Sequence, residues 1–272
     1  MIFYYSGTGN SAYAAKELSR LIGEKVSPVS IPSVAGATTL DVYQDEYLGF
    51  VFPIYAWGVP PIVLQFVEKL PADLFDNRYV WAVCTCGDEA GNAMKHFDKA
   101  IHRVSGKSLN MTATLIMPNT YVLLPGFDVD TPQVADTKLH NAPERLQELA
   151  NVIEARPEEY HSVHTGSVPA LRSLVYPLFK KWGVNPRKWN VSSACISCGK
   201  CVRVCPVKNI SLVREGCSVS SSSTKGARPI WGSNCLSCCA CFHICPQRAI
   251  NYGKATQNKK QYMHPTYRLT YK

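Results

Sequence analysis

Residues 1–23 read MIFYYSGTGNSAYAAKELSRLIG. An apolar run, Met1–Tyr5, is followed by a short polar loop and then by Ala12, Ala15, Leu18 and Leu21/Ile22 at helical spacing, with Gly23 as a stop. A strand, a glycine loop and a helix in that order aim backbone N–H groups and the positive end of the helix dipole at an anion. In the loop, Gly7 and Gly9 let the backbone bend tightly and approach a ligand. Ser6, Thr8, Asn10 and Ser11 add side-chain donors, a set that suits the three oxygens of a terminal phosphate. A Walker loop is excluded, because no Gly-Lys-Ser/Thr follows. Gly7-x-Gly9-x-x-Ala12 also matches a dinucleotide fingerprint, but the acid expected about 20 residues on is missing from VSPVSIPS at 26–33.

The same alternation continues outward. KVSPVSI (25–31) reads as an edge-like strand interrupted by Pro28, and YLGFVFPIY (47–55) as a nearly continuous apolar strand. PPIVLQFVEKL (60–70) opens a helix on proline, and YVWAVCTCG (79–87) is another buried strand. EAGNAMKHFDKAIHRV (89–104) reads as a helix, MTATLIMP (111–118) as the last strand and NAPERLQELANVIEAR (141–156) as a closing helix. Strands alternating with helices over short links predict an α/β doubly wound, five-stranded parallel sheet of order 2-1-3-4-5. Ligands bind such sheets at the carboxyl ends of the strands. Two further loops fall there: Pro53 to Pro60 after the third strand, and Thr85 to Asn92 after the fourth.

From Lys188 on, the pattern becomes one of short strands, cysteines and turns. CISCGKCVRVCPVKNI (195–210) and CLSCCACFHICPQRAI (235–250) align without a gap, 40 residues apart. Each contains C-x2-C-x2-C-x3-C-P, the ligand run of a bacterial two-cluster ferredoxin. Three cysteines two residues apart can curl around three corners of one cubane, and the fourth, before proline, points to the twin cluster. The spacing therefore assigns Cys195, Cys198, Cys201 and Cys245 to one 4Fe-4S cluster, and Cys235, Cys238, Cys241 and Cys205 to the second. Zinc uses paired cysteines or Cys/His mixtures and leaves the triple spacing and the Cys-Pro unexplained. Cys239 breaks the two-residue spacing and is read as spare; Cys217, in the serine-rich loop between the repeats, matches no ligand position. Cys84 is read as a core residue and Cys86 as a possible ligand contact.

The chain has 272 residues, a formal net charge of +9 and 12 cysteines. It begins without a basic, apolar leader, and its longest apolar runs are broken by proline and glycine, so a cytoplasmic protein without a membrane span is expected. Thiols stay reduced in that compartment, which favours metal ligation over disulfides. Residues 1–160 carry 12 Lys/Arg and 19 Asp/Glu, whereas residues 161–272 carry 17 Lys/Arg and one acid, Glu215. That asymmetry predicts two units with different surfaces. The expected division is 1–160, a helical linker at 161–187 that includes SVPALRSLVYPLFKKWG, a cluster domain at 188–255 and a basic tail at 256–272.

Ser6-Gly7-Thr8-Gly9-Asn10-Ser11 after a first strand resembles the phosphate loop with which flavodoxins hold FMN. The resemblance implies that Pro53, Tyr55, Trp57 and Gly58 in one loop and Thr85, Cys86, Gly87 and Gly91 in the next wrap the isoalloxazine, with Tyr55 or Trp57 stacked on the ring. Flavodoxins crowd the flavin with acids; here only Asp88 and Glu89 lie in these loops, which implies weaker like-charge repulsion of a reduced flavin. With its cysteine repeats, the chain as a whole resembles the flavodoxin–ferredoxin fusion proteins (ferrodoxins) of anaerobic bacteria and archaea. The match runs over roughly 1–125 and 188–252. The fold implied is a flavodoxin-like domain followed by a small α+β ferredoxin domain, and the function implied is electron transfer between FMN and two 4Fe-4S clusters. A basic cluster domain predicts a redox protein partner with an acidic surface. Two other readings stay open: a flavin-dependent reductase of a small molecule, for which no acid–base set stands out, and nucleic-acid binding by the basic half, which leaves the phosphate loop idle.

Overall fold

The computed structural model describes residues 1–28, 46–170, 174–182, 185–214 and 226–270. Cys217 and its serine-rich loop, and the last residues of the second predicted strand, lie outside the described residues. Among the described residues no helix is long and apolar enough to cross a membrane.

Two compact units emerge, and they are not sequential halves. The first comprises Met1–Ser6, Asn10–Asn119 and Thr131–Lys181; the second comprises Gly7–Gly9, Thr120–Asp130 and Trp182–Lys272. The glycine loop and a segment after the fifth strand thus group with the cysteine-rich unit. So does the tail expected at 256–272, in which Thr256, Met263 and His264 are buried.

In the first unit, β1 (Ile2–Tyr4), α1 (Asn10–Ile22), β2 (Val26–Pro28), β3 (Tyr47–Pro53) and α2 (Pro61–Val67) are followed by a 3-10 turn, Ala72–Phe75. Then come β4 (Tyr79–Cys86), α3 (Ala93–Ser105), β5 (Met111–Ile116), α4 (Pro132–Ala155), β6 (Tyr160–Ser162) and α5 (Val175–Trp182). The sheet is parallel, in the order β2-β1-β3-β4-β5-β6. The predicted order holds for its first five strands, and β6 corrects the count to six. Tyr160 to Ser162 is short and polar and carries no apolar alternation. It is placed by pairing instead, Met111 opposite Tyr160, and by a hydrogen bond of 2.8 Å between Thr112 Oγ1 and His161 Nδ1.

Period-two alternation sends neighbouring strand residues to opposite faces. Ile2, Val51, Trp81, Val83 and Met111 pack with Ala14, Ala15 and Leu18 of α1 and Leu146, Leu149 and Ile153 of α4. On the other face Phe3 meets Phe66 of α2, and Phe50 and Phe52 meet Phe97 of α3, with ring centroids 4.6–5.3 Å apart. Gly49 makes room for the fully buried Trp81, whose Cζ2 would lie 2.2 Å from a Cβ at that position. α4 begins at Pro132 rather than at Asn141. Thr131 caps it by accepting from the Val134 N–H at 3.4 Å, and Pro132 occupies the first turn. Pro143, which mimics a start signal, lies inside the helix. Burial of Ala142, Leu146, Leu149 and Ala150 on either side carries the helix through it.

The second unit holds a 3-10 turn (Pro186–Lys188), β7 (Trp189–Val191), α6 (Lys200–Val204), β8 (Ile210–Val213), β9 (Arg228–Trp231), α7 (Ala240–Ile244), β10 (Ile250–Tyr252) and α8 (Pro265–Leu269). β7, which precedes the first repeat, pairs antiparallel with β10, which follows the second. β8, after the first repeat, pairs with β9, before the second. The two repeats are thus interleaved and match residue by residue in backbone. Ser197 and Ser237 have φ of 58° and 54°, Gly199 and Cys239 of 69° and 58°, and Lys208 and Arg248 of 50° and 48°.

Candidate cofactor sites

Every residue from Ser6 to Ser11 is buried. Gly9 has φ of 102°, which a side chain would strain. Gly7 does not share that conformation. It is small because a Cβ there would lie 2.8 Å from Cys238 Cβ and 2.9 Å from its carbonyl oxygen. Two of the expected phosphate donors are engaged by the fold. The Asn10 amide donates to the Pro118 carbonyl at 2.9 Å, and the Ser11 hydroxyl lies 2.7 Å from that of Thr85. These bonds tie the start of α1 to the ends of β5 and β4.

The loop after β3 is a tight turn in which Tyr55 and Gly58 exchange N–H···O bonds of 2.9 Å. Its central residues, Ala56 and Trp57, have φ of 46° and 59°. A primed turn requires such angles, and they cost a non-glycine residue about 1 kcal/mol or more each. The Tyr55 hydroxyl meets that of Tyr5 at 3.1 Å, and the Ile54 N–H donates to the Thr85 carbonyl at 2.9 Å. Pro53 lies opposite Thr85 in the sheet register. Trp57 packs over Gly91, where a Cβ would come within 2.8 Å of the Trp57 Cβ. In the loop after β4, burial pushes the Cys86 thiol well up, with Cys84 and Asp88 adding to the shift. Cys84 itself is fully buried beside Thr114. Gly87 leaves space for Asn119, whose amide donates to Asp88 at 3.3 Å, while Lys138 sits 3.6 Å from the same carboxylate.

The ends of β1, β3 and β4 are therefore stitched together by Tyr5–Tyr55, Ile54–Thr85 and Ser11–Thr85. Aromatic rings and strained backbone gather where open parallel sheets take ligands. These residues fit a flavin mononucleotide. The sequence reading missed Tyr176 of α5. Its ring lies on Gly58, where a Cβ would be 2.2 Å from Tyr176 Cδ2, and its hydroxyl donates to the Val59 carbonyl. It also missed Asn119 and Lys138. Asn119 follows the carboxyl end of β5, and that position alone was a usable signal.

In the second unit, one cavity of about 360 Å³, counting its mouth to solvent, is lined by Cys195, Cys198, Cys201 and Cys245. Another, of about 330 Å³, is lined by Cys205, Cys235, Cys238 and Cys241, together with Cys239. Each cavity thus joins three cysteines of one repeat to the fourth of the other. Backbone N–H groups donate to sulfur at equivalent places: Asn209 to Cys205 at 3.2 Å and Ala249 to Cys245 at 3.3 Å. Burial raises the Cys201 thiol to about 11, with Cys198, Cys245 and Cys195 adding to the effect. Iron bound there would displace the thiol protons to solvent and stabilise the resulting thiolates. The donor set and the cavities fit cubane clusters. Cys239 stands at the helix-cap position that Gly199 holds in the first repeat, and its thiol donates to the Ser237 carbonyl at 3.4 Å.

The repeats differ in their surroundings. Ile196 is 59% exposed, and Cys198 and Arg203 are also exposed. The second repeat is covered by residues 120–130 and the tail. His243 is fully buried; its Nδ1 accepts from the Tyr262 N–H at 3.1 Å and its Nε2–H donates to the Thr120 carbonyl at 2.8 Å. The Lys259 ammonium donates to the carbonyls of Val122, Leu124 and Phe127 at 2.5–2.7 Å. The tail also reaches the glycine loop. The His264 N–H donates to the Thr8 carbonyl at 2.9 Å, and a Cβ on Gly9 would meet Tyr267 at 2.3 Å.

Burial holds the buried His264 imidazole down at about 4, so it is neutral when folded. A depressed folded value gives stability that is complete above the ordinary 6.5 and is lost as pH falls toward 4. Between about pH 7.5 and about pH 5 the tail should lose about 2 kcal/mol of protection. Hydrogen exchange over residues 261–268 reads this directly after correction for intrinsic rates. His264→Gln should flatten the dependence, and a variant with an unchanged pH profile would remove His264 as its cause.

A family model described as a flavodoxin domain matches residues 1–115, and one described as a 4Fe-4S binding domain matches residues 191–211, in the first repeat. No curated protein matches the chain. Among solved structures, the Trp repressor binding protein from Bacillus subtilis is 14% identical, covering 55% of this chain and 97% of that one, at a TM-score of 0.40. The two-electron reduced flavodoxin of Megasphaera elsdenii is 18% identical, covering 55% of this chain and 98% of that one, at a TM-score of 0.36. The chain thus joins a flavodoxin domain to a 4Fe-4S binding segment, an organisation consistent with a flavodoxin–ferredoxin fusion.

Proposed function

We propose that this chain is an electron carrier that holds FMN on the loops after β1, β3 and β4 and two 4Fe-4S clusters in the two cysteine cavities. The observation that carries the reading is the crosswise sharing of the cysteines, Cys245 with the first repeat and Cys205 with the second, in one chain with the flavodoxin-type loops. When bound, the clusters supply one-electron steps and the flavin one- or two-electron steps, so that single-electron carriers can be joined to a two-electron partner.

The chain's own residues bind, orient and shield. Backbone N–H groups at the start of α1, with Ser6 and Thr8, would hold the phosphate; Asn10 and Ser11 hold the loop in shape through Pro118 and Thr85. Tyr55 and Trp57 would hold the ring, and Tyr176 keeps their turn in place through Gly58 and Val59. Lys138 and Asn119 offset the charge of Asp88 beside the flavin loops. Val204, Ile244 and Phe242 shield the clusters, and N–H groups on the sulfurs of Cys205 and Cys245 stabilise their negative charge. The exposed cations Arg187, Lys188, Arg203, Lys208 and Arg228 suit a redox protein with an acidic face, and association should slow as salt rises.

Anaerobic purification with iron, sulfide and flavin analysis tests the reading. About eight iron atoms and one FMN per chain are expected; about four irons, or zinc, would overturn it. Cys239→Gly places in the second repeat the residue that the first already has, and it should keep the full iron content. A fall to half would make Cys239 a ligand.

A further inference from the structure

The two cysteine repeats share a backbone but not an environment, and the difference has a direction. The first repeat turns one of its ligands to solvent: Cys198 is exposed, Ile196 nearby is 59% exposed, and Arg203 donates to the Cys198 carbonyl at 3.2 Å. At the matching positions of the second repeat, Cys238 and Leu236 are half-buried and His243 is fully buried. What lies against Cys238 is the glycine loop. A Cβ on Gly7 would sit 2.8 Å from the Cys238 Cβ, 2.9 Å from its carbonyl oxygen and 3.5 Å from its Cα. The left-handed backbone that calls for glycine at Gly9 does not occur at Gly7. The close approach of Cys238 is thus the physical reason for a glycine at position 7.

We propose that the cluster held by Cys205, Cys235, Cys238 and Cys241 is the flavin-side cluster, joined to the FMN loop through Cys238 and Gly7, and that the cluster held by Cys195, Cys198, Cys201 and Cys245 is the entry point for an external one-electron carrier. This rests on the two-cluster flavoprotein reading and adds an order to it. Electron tunnelling falls steeply with distance, and the close approach of Cys238 to Gly7 brings a ligand cysteine of this cluster against the phosphate loop. Each transfer moves a single electron. The external carrier, a low-potential redox protein, is oxidised as the solvent-facing cluster is reduced. That electron passes to the covered cluster, and from there to the flavin, which draws from solvent any proton it takes up. The order reverses when the flavin is the reduced partner.

The test uses the full chain, isotopically labelled and loaded with iron and sulfide. Cubane clusters carry paramagnetism that broadens nearby nuclear resonances. Cys201→Ala removes a ligand of the solvent-facing cluster, and Cys241→Ala removes one from the covered cluster; iron analysis confirms that each variant keeps one cluster. The Gly7 amide line should stay broad in Cys201→Ala and sharpen several-fold in Cys241→Ala. The phosphorus resonance of bound FMN should follow the same pattern. Sharpening on loss of the solvent-facing cluster, or no response to loss of the covered one, would overturn the order. If an alanine variant does not fold, the unmodified chain decides, because loading the clusters must broaden Gly7 several-fold over the cluster-free chain. An unchanged line there also overturns the proposal. The Gly7 readout needs no flavin, so its failure is separate from a failure of the chain to load FMN or two clusters, which iron and flavin analysis would report.

Discussion

Replacing Cys245 with alanine should cost the chain the cluster of the other repeat. Cys245 belongs by sequence to the run that begins at Cys235, yet it lines the cavity of Cys195, Cys198 and Cys201. The turn at the end of α7 explains this. Cys245 leaves the helix with extended backbone, φ −67° and ψ 113°, before Pro246, and its sulfur accepts the Ala249 N–H at 3.3 Å. β10 then pairs back with β7 at the head of the first repeat, which brings the thiol across. Cys205 is the mirror case, with φ −69° and ψ 112°. A cubane with three protein ligands is labile, so Cys245→Ala should lose about four of about eight irons. Its residual spectrum should match that of Cys201→Ala, in which the same cluster is missing. A residual spectrum matching Cys241→Ala would mean that each run serves its own cluster and that the crosswise pairing is wrong.

The cavities group the same cysteines as the thiolate spacing does, because that spacing is a local signal and the strand pairing carries each fourth cysteine toward the other run. The first five strands were legible for a similar reason: buried parallel strands such as Tyr47–Pro53 and Tyr79–Cys86 are almost wholly apolar. The sixth was not, since Tyr160 to Ser162 is placed by its neighbours rather than by its own pattern. Signals that serve two purposes misled. The helix read from Asn141 begins at Pro132 and runs through Pro143, and Gly7, read for its close approach to a ligand, also accommodates Cys238. Asn10 and Ser11 count as phosphate donors by residue type, yet their side chains bond to Pro118 and Thr85. The covering of the second repeat by residues 120–130 and by the tail is built from single contacts, such as Lys259 on three carbonyls and His264 on Thr8, which leave no period in a sequence. Tyr176 belongs to the same class, and its consequence is large.

Gly58→Ala should destabilise the first unit by about 3 kcal/mol and weaken FMN binding together with it. The added methyl would lie 2.2–2.5 Å from three atoms of the Tyr176 ring, so the ring must leave. The ring is buried, with 6% of its surface exposed, and its hydroxyl donates to the Val59 carbonyl. Expelling it forfeits the burial of an aromatic side chain, worth about 2–3 kcal/mol, and a hydrogen bond worth about 1 kcal/mol. Gly58 also closes the turn that holds Ala56 and Trp57 at positive φ, and such strain persists only while its surroundings impose it. With Tyr176 gone, the turn can relax and Trp57 can leave its place over Gly91. Urea unfolding should show a lower midpoint at unchanged slope, and the FMN dissociation constant should rise at least about tenfold. The double variant Gly58→Ala/Tyr176→Ala separates the causes. Once the ring is removed, the methyl has nothing to displace, so the double variant should be no less stable than Tyr176→Ala alone. Additive losses would instead place the cost in the turn itself and leave α5 without a part in shaping the flavin loop.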